Sequence, residues 1–189
     1  MRPPVLPANE PERLTQLRAL ELLDTPAEPV FDHLLRLVAR VLDVPVARVF
    51  LADRDRLWAK AMIGPGPRQI PREHSFCEHA IATGTALVVP DARLDERFAD
   101  LPFVAAEGGI RFYAGLPLKT SAGLVLGTLC VLDYLPRSLS ADQHSVLQDA
   151  AAVVVEDLQR REAVRILALQ SGQVTCSTAS SSTPAGSPG

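Results

Sequence analysis

Two cysteines, Cys77 and Cys130, are the residues of this sequence whose type best suits covalent or redox chemistry. Cys77 lies two residues after Ser75 in the string Ser-Phe-Cys-Glu, a pattern typical of a helix capping box. Free backbone N–H groups and the helix dipole stabilise a thiolate at that position, whereas the neighbouring Glu78 opposes one. Cys77 is therefore a candidate reactive or ligand-contacting thiol, and the alternative is a small side chain packed beneath the helix.

Cys130 lies in the middle of an apolar run, which is the pattern of a core strand residue. If it formed a redox pair with Cys77, both thiols would need to face the same side of a sheet, with Cα atoms less than about 7 Å apart. His79 is a further candidate ligand contact beside Cys77. On a helix, however, residues two apart point roughly 200° away from each other, so we expect no metal site here.

Arg111 and Tyr113 occupy alternate positions of a predicted strand, so their side chains share one face. The side chains between and after them are apolar and would face a layer of helices. Arg111 and Tyr113 would then face a pocket on the opposite side, where an arginine pairs with an anion and a phenol orients it. The structural alternative is an ion pair of Arg111 with Asp91 or Asp133.

The elements that must position these residues begin with two N-terminal helices. Residues 1–8 form a proline-rich extended leader, and Asn9 has the residue type of an N-cap for an amphipathic helix over 10–23. Pro26 has the position of a first helical residue, and regularly spaced apolar side chains predict a second helix to about Leu42.

The middle of the chain alternates short strands with turns and helices. The predicted elements are a hairpin of strands 46–51 and 57–62, a loop over 64–72, a helix from Ser75 closed by Gly84, a strand at 87–89, a long connection over 91–109 with one helical turn near 96–99, a hairpin of strands 110–118 and 124–132, and a final helix capped by Ser140 with Gln143. A connection as long as 91–109 usually has a function.

The final helix carries a heptad-like apolar stripe that stops at Arg161. Its members are Leu147, Ala151, Val154 and Leu158. This half-formed heptad makes the terminal helix a candidate homodimer interface. The domain is expected to span 9–168, and the Ser-, Thr-, Gly- and Pro-rich tail over 169–189 is expected to be disordered.

Helices segregated to the ends of the chain, around neighbouring strands, indicate an α+β fold with an antiparallel sheet. The first two helices and the last one each have one apolar stripe, and one face of the sheet would bury all three. The middle segment, residues 63–109, would then cover the other face. We expect a pocket between that segment and the sheet.

Composition limits the function classes that this chain can serve. Its 189 residues are 47% hydrophobic and 22% charged, which allows one domain with a buried core. A net charge of −3 provides no general attraction to nucleic acid or to anionic lipid. Three cysteines are too few for a disulfide framework, and the longest nearly apolar run, 123–132, is far shorter than a membrane span. We expect a cytoplasmic protein that binds neither nucleic acid nor membrane.

Several strings, in order along residues 9–158, resemble the bacterial GAF domains found at the N-terminus of sensor kinases and cyclases. They are LDTP at 23–26, EPVFD at 28–32, DRLW at 55–58, SFCEHAI at 75–81, VPDA at 89–92, DERFA at 95–99, IRFYAG at 110–115 and GTLCVLD at 127–133. The resemblance implies an antiparallel sheet of five or six strands, with terminal helices on one face and a small-molecule pocket on the other. It also implies a role in signal transduction.

The ligands of this family are diverse, and the sequence identifies neither a ligand nor a cofactor. Phytochrome-type bilin carriers have a Cys-His attachment dipeptide, but here Glu78 follows Cys77. The Asn-Lys-Phe-Asp type of signature that is typical of cyclic-nucleotide binders is absent from the sequence. The leading hypothesis is a non-enzymatic sensor that signals through its terminal helices to a second copy or a separate effector protein. The alternative is a thiol-dependent redox enzyme of the free methionine-sulfoxide reductase type that uses Cys77.

Overall fold

The computed structural model describes residues 6–73 and 75–177, with side chains described as far as residue 171. Its elements in chain order are α1 (Glu10–Ala19), α2 (Pro29–Leu42), β1 (Val46–Ala52), β2 (Arg56–Ile63), β3 (Gln69–Pro71), α3 (Phe76–Thr83), β4 (Leu87–Val89), α4 (Pro102–Ala105), β5 (Phe112–Lys119), β6 (Val125–Asp133) and α5 (Ala141–Ser177). No helix of this described part is long and apolar enough to cross a membrane.

The six strands form one sheet in the order β3-β2-β1-β6-β5-β4. Every pairing in it is antiparallel, and β1 with β6 forms the centre. The hairpin of β1 and β2 closes at Asp53, whose N–H donates to the carbonyl of Arg56 at 2.9 Å. This arrangement confirms the predicted α+β class and the antiparallel sheet.

One side of the sheet, called the helix face here, is covered by α1, α2 and α5. The apolar stripe of α2 follows helical spacing and is fully buried, as are its counterparts on α5 and the inward residues of β5. These side chains are Phe31, Leu35, Val38, Leu42, Leu147, Val154, Leu158, Phe112 and Ala114. The three terminal helices therefore share one core with the sheet, as their periodicity predicts.

The opposite side, called the cavity face here, is covered by residues 63–109, called the cover segment. A second apolar cluster lies between them, separate from the helix-face core. Its larger members are Phe50, Phe76, Ile81, Phe98, Val104, Tyr113 and Leu132. Tyr113 thus faces the cover segment while its neighbours Phe112 and Ala114 face the helices, which is the alternation that the sequence predicts.

The first helix is shorter than the predicted 10–23. It ends at Ala19, because the following residues turn the chain away through the left-handed backbone conformation, with φ of 52° at Glu21 and 58° at Asp24. Asn9 does occupy the N-cap position, but its side chain makes no capping hydrogen bond. Glu10 and Arg13 of this helix form an ion pair with each other, and each also binds a residue outside the helix.

The second helix begins at Pro29 and not at Pro26, so that part of the prediction is wrong. Thr25 donates its hydroxyl to the carbonyl of Leu22 at 2.7 Å and accepts a hydrogen bond from Lys60 at 2.7 Å. These contacts hold Thr25 in a loop, and Pro29 takes the first helical position. Both proline positions suit a helix start, but Glu28 precedes Pro29 and has an extended backbone, with φ of −120° and ψ of 127°, so a helix that began at Pro26 could not continue through it.

The cover segment contains two elements that the sequence pattern misses. The predicted loop over 64–72 includes β3, which pairs with β2 at the sheet edge. The predicted turn near 96–99 is present as hydrogen bonds from the N–H groups of Phe98 and Ala99 to the carbonyl of Asp95, but α4 lies further on. Half of the predicted capping box is observed, because the N–H of Glu78 donates to the hydroxyl of Ser75 at 3.2 Å while the Glu78 carboxylate binds Arg72 and not the N–H of Ser75.

The last helix starts as predicted and extends further. Ser140 and Gln143 form a reciprocal capping box, with distances of 3.0 and 3.2 Å. The helix continues to Ser177, past the expected end of the domain at residue 168, and the extent of the domain and the disorder of the tail stay predictions. Residues 1–5 of the predicted leader and 178–189 of the predicted tail lie outside the described part.

A buried charge network joins α1, the β1–β2 turn and α3. The side chain of Arg13 is fully buried and donates to the carbonyl of Ala52 at 2.5 Å and to Glu10 at 2.7 Å. Arg72 reaches Glu10 at 2.6 Å and Glu78 at 2.5 Å. Burial alone would raise the pKa of Glu10, but the hydrogen bonds from Arg13 and Arg72 outweigh it and lower that pKa from 4.5 to about 2.

Replacing Glu10 by glutamine tests this network. Because its pKa is lower in the folded than in the unfolded chain, the carboxylate stabilises the fold above about pH 4.5 and stops doing so as the pH falls towards 2. We expect Glu10→Gln to lower the free energy of unfolding by about 1–3 kcal/mol at pH 7. Urea unfolding at pH 7 and pH 3 measures the effect.

The matched control is Glu12→Gln, an exposed position of the same helix. We expect it to leave the free energy of unfolding nearly unchanged at both pH values. The difference between Glu10→Gln and the wild type should shrink from pH 7 to pH 3. A difference that is constant over this range would contradict the assigned pKa.

Candidate functional site

A cavity of about 700 Å³ lies between the cavity face of the sheet and the cover segment. β1, β5 and β6 contribute its floor, and α3 with the loops of the cover segment forms the walls. This volume is within the range of small-molecule sites in proteins. The geometric expectation of a hollow between sheet and cover segment is met.

The lining of the cavity is mainly apolar and aromatic. Its larger apolar members are Phe50, Ile70, Phe76, Phe103, Tyr113 and Leu132. Polar groups among the lining residues include the guanidinium of Arg48 and the thiols of Cys77 and Cys130. The exposed side chains of Glu96 and Asp100 also line it, towards solvent. A mainly apolar wall with a few placed polar groups is typical of ligand pockets.

An aromatic cluster forms one wall of the cavity around Phe76, the first residue of α3. The rings of Phe76 and Tyr113 are stacked, with centroids 4.7 Å apart and planes 16° apart. Phe98 and Phe103 contact the same ring at 4.6 and 5.6 Å. Such pairs add stabilisation beyond the area they bury, so this wall is held in a defined shape.

The two candidate cysteines meet at the base of this wall. The Sγ atoms of Cys77 on α3 and Cys130 on β6 are 3.9 Å apart, and both are free thiols. The hydroxyl of Tyr113 donates to Sγ of Cys77 at 3.3 Å. Both thiols therefore face the same side of the sheet, which is the arrangement that a redox pair requires.

The surroundings of the two thiols give them different pKa values. Burial raises the pKa of the Cys77 thiol, but hydrogen bonds with Cys130 and Tyr113 outweigh it and leave that pKa below its ordinary value. The hydrogen bond with Cys77, together with burial, holds the pKa of Cys130 well above its ordinary value. Burial and the adjacent thiols likewise raise the pKa of Tyr113. Cys77 is thus the thiol of the pair that ionises first.

Gly115 makes the position of Tyr113 possible. The two residues share the cavity face of β5, and Gly115 pairs with Cys130 across the ladder. A Cβ atom at 115 would overlap the phenol of Tyr113, chiefly at its hydroxyl. The absence of a side chain at this position lets the ring lie along the strand, so that its hydroxyl reaches Cys77.

The structure brings together three of the five predicted site residues and places Arg111 elsewhere. Cys77, Cys130 and Tyr113 line the cavity. The guanidinium of Arg111 instead donates to the backbone carbonyls of Val104 at 2.7 Å and of Ala106 at 3.3 Å. The pairing with β6 already includes Arg111, whose N–H donates to the carbonyl of Asp133 at 2.9 Å, so the backbone carbonyls near α4, and not an end of the strand alternation, account for the position of its guanidinium. Arg111 thus binds the carbonyls near α4 and is not among the residues that line the cavity, and a role for it in ligand binding stays a prediction.

His79 also lies outside the lining of the cavity. Its ring packs edge-on against Phe98 with centroids 4.8 Å apart, and burial lowers its pKa. No group of three or more His, Cys, Asp or Glu side chains within the described residues could hold a metal ion. A role for His79 in binding stays a prediction, and it would be indirect, through Phe98.

Arg48 is the cavity residue that the sequence reasoning misses. It lies in β1 between Val46 and Phe50, which share its face and also line the cavity. The signal was present, since an arginine within an otherwise apolar strand must have a reason to be buried. Its charge could have marked this face of β1 as the wall of a site.

Comparison with known proteins agrees with this architecture. The sequence profile of the GAF domain family matches residues 26–158. A cyclic di-GMP phosphodiesterase of Pseudomonas aeruginosa is 40% identical over 155 residues, a match that covers 82% of this chain and 26% of the relative. This chain therefore spans about a quarter of that relative's length.

Solved structures with the same fold include two kinds of protein. The GAF domain of an Acinetobacter phosphoenolpyruvate-protein phosphotransferase superimposes with a TM-score of 0.60 at 20% identity, covering 81% of this chain and 96% of that one. Free methionine-R-sulfoxide reductase from Neisseria meningitidis superimposes with a TM-score of 0.60 at 16% identity, covering 79% and 89%. At these identities the likeness concerns the fold alone.

Replacing Tyr113 by phenylalanine tests the order of thiol acidity. Without the hydrogen bond from the hydroxyl, the pKa of Cys77 should rise, and its alkylation by iodoacetamide at pH 8 should slow by about fivefold. Peptide mass spectrometry of a Cys176→Ser background follows Cys77 and Cys130 separately. We expect Cys77 to react before Cys130.

The matched control is Tyr134→Phe, since Tyr134 lines the same cavity without a hydrogen bond to either thiol. Its alkylation rate should equal that of the background protein. Faster labelling of Cys130 than of Cys77, or an unchanged rate in Tyr113→Phe, would show that the hydroxyl does not set the acidity of Cys77.

Proposed function

This chain belongs to the GAF domain family, and we propose that it is a sensory or regulatory module that binds a small molecule in the cavity and signals through its terminal helices. The observation that carries the proposal is the cavity itself, about 700 Å³ in volume, with an apolar lining and three polar groups at its base. Identity of 40% with a segment of a cyclic di-GMP phosphodiesterase supports a signalling context.

The strands offer a physical route from the cavity to α5. Tyr113 and Cys130 line the cavity, while Phe112, Ala114 and Val131, their neighbours along β5 and β6, belong to the helix-face core. A ligand that displaces these strands by a fraction of an ångström therefore displaces the surface on which α5 packs. Packed cores respond to such shifts by changing between discrete arrangements.

A network of ion pairs fixes the position of α5 relative to α2 and β2. Glu28 at the start of α2 accepts from Lys60 of β2 at 2.6 Å and from Arg161 of α5. Arg161 also pairs with Asp157 one turn earlier, at 2.6 Å. The position of α5 is thus coupled to the sheet by ion pairs as well as by apolar packing, so that a shift of β2 would act on both.

Output through a second copy or a separate effector is part of the proposal. The heptad-like stripe up to Leu158 is buried within this chain, against α2 and the sheet, so it is not free to form a dimer seam. Beyond it, exposed apolar side chains such as Val164 and Leu167 continue along α5. We place the interface for a partner on this later part of the helix.

Blocking the cavity tests the binding function. A thermal-shift screen of metabolites against the full chain should find compounds that raise its Tm by about 5–10 °C at a hundred times Kd. Ile70 lines the cavity from the edge strand β3, so Ile70→Trp should fill part of the space and abolish these shifts. The matched control is Leu94→Trp, because Leu94 is exposed and lies outside the lining.

Shifts that persist unchanged in Ile70→Trp would mean that the ligands bind elsewhere, and the sensor proposal would fail. Hydrogen exchange of α5 with and without a ligand tests the signalling part. Slower exchange within residues 147–158 on binding is expected, and unchanged exchange there would leave a binding module without output through this helix.

A second candidate function, a thiol-dependent sulfoxide reductase, is favoured by one observation, the 3.9 Å separation of the Cys77 and Cys130 sulfurs. In that reaction the sulfoxide oxygen leaves as water, while the two thiols lose their hydrogens and join as a disulfide. An added dithiol such as dithiothreitol then reduces the disulfide and allows turnover. The lower pKa assigns the attacking role to Cys77 and leaves Cys130 to resolve the intermediate.

An assay with free methionine-R-sulfoxide and dithiothreitol decides this candidate. If the chain is such an enzyme, Cys77→Ser should reduce turnover to the level without protein, and Cys130→Ser should turn over more slowly, because dithiothreitol must then reduce the oxidised Cys77 directly and no Cys77–Cys130 disulfide forms. The matched control, Cys176→Ser, should retain full activity. Absence of turnover in the wild type, or equal turnover in Cys77→Ser, would remove the enzyme hypothesis.

A further inference from the structure

A buried cation without an anion lies in the wall of the cavity. The side chain of Arg48 belongs to a residue only 6% exposed, yet within the described residues it makes no ion pair with a carboxylate. The Phe50 ring beside it has its centroid 5.9 Å from the guanidinium carbon. Burying a charge without a counterion is unfavourable, so this position calls for an explanation.

The hydrogen bonds of Arg48 leave part of its donor capacity unused. Nη1 donates to the carbonyl of Pro67 at 3.3 Å and approaches Sδ of Met62 at 3.6 Å. Nη2 donates to the carbonyl of Pro65. A guanidinium has five N–H donors, so Nε–H and one Nη2–H have no protein acceptor in the described part of the chain. Nε–H and the Nη2–H beside it form the edge of a guanidinium that makes paired hydrogen bonds with oxyanions, and the Nε–H of that edge has no acceptor among the described residues.

The guanidinium is held in place before any ligand arrives. The loop Pro65-Gly66-Pro67 wraps around it, and a Cβ atom at Gly66 would lie 2.5 Å from Nη2. Gly66 also has a φ of 122°, which side chains disfavour. Because the loop fixes Arg48, a bound anion would not have to order this side chain, and that lowers the entropic cost of binding.

The other charges near the cavity limit the ligand to about one negative charge. Arg97, the other lining arginine, is exposed and already paired with Asp95 at 2.6 Å. Glu96 and Asp100 place two carboxylates towards the solvent side. A molecule with several phosphate groups would meet one free cation and these two like charges. A single anionic group on an otherwise apolar body fits the lining better.

We propose that Arg48 is the ligand-recognition residue of this cavity, and that the ligand is a mainly apolar small molecule with one anionic oxygen group. This inference rests on the binding function proposed above and specifies its ligand class. The oxyanion pairs with the Nε–H and Nη2–H edge of Arg48. The apolar body occupies the space lined by Phe50, Phe76 and Phe103.

Two fluorescent probes that differ in one group test this class. 8-Anilinonaphthalene-1-sulfonate carries an anion on the same ring system that N-phenyl-1-naphthylamine presents without charge. Titration of the full chain with each probe gives two dissociation constants. We expect Arg48→Met to raise that of the sulfonate by about tenfold and that of the neutral probe by less than twofold, since only the first loses a charge-assisted pair.

The controls separate the charge from the loop and from folding. Arg93→Met, at an exposed arginine that pairs with Asp91 at 2.8 Å and lies outside the cavity lining, should change neither dissociation constant by more than twofold. If Arg48→Met does not fold, Arg48→Lys decides, because it keeps the charge and loses the fork. In that variant the sulfonate should bind at least threefold more weakly while the neutral probe is unaffected.

The outcomes distinguish this inference from the function on which it rests. Suppose that both probes bind the wild type, that neither binds Ile70→Trp, and that Arg48→Met changes both dissociation constants by the same factor. The cavity then binds ligands, and the assignment of an anionic ligand is wrong. If neither probe binds, or both bind Ile70→Trp as well as the wild type, the binding function fails and this inference fails with it.

Discussion

Burial of the two central strands on both faces is the constraint on which the rest of this structure depends. Every residue of β1 and of β6 is buried. Antiparallel sheets commonly expose one face to water, so this chain must supply two coverings. Three helices cover one face at the packing density of a core. The second covering is made of short elements and loops, which pack less completely, and the cavity is the space they leave.

The same constraint explains which parts of the fold and site the sequence predicts. The sequence predicts which face of the sheet a side chain occupies wherever a strand lies between two different environments. Tyr113 is therefore assigned to the cavity face from its apolar neighbours on β5. Local capping can be read from the sequence as well, since Ser75 caps α3 through the N–H of Glu78, and Ser140 with Gln143 forms the predicted capping box. These features depend on residues close together in the chain. The features that the sequence does not predict depend on contacts between residues far apart in the chain.

Arg111 and Arg48 illustrate that limit from opposite directions. The position of Arg111 two residues before Tyr113 predicts a pocket residue, but the backbone carbonyls of Val104 and Ala106 accept hydrogen bonds from its guanidinium. Arg48 looked like part of a core strand, and only the fold of a loop seventeen residues later shows what surrounds its charge. In both cases the environment of the side chain depends on the path of the cover segment, which no periodicity describes.

The final helix shows how a pattern can be correct and its meaning different. The stripe that resembles a dimer seam exists, but α2 and β5 occupy it. The stripe also ends at Arg161 as the sequence predicts, because there the contacts of the helix change from apolar packing to the ion pair of Arg161 with Glu28. The part of α5 up to Leu158 therefore packs on the sheet, and the part beyond it has apolar side chains exposed to water. In the proposed function, a helix divided in this way would separate the detection of a ligand from the contact with a partner, which a short amphipathic helix buried along its whole length could not do.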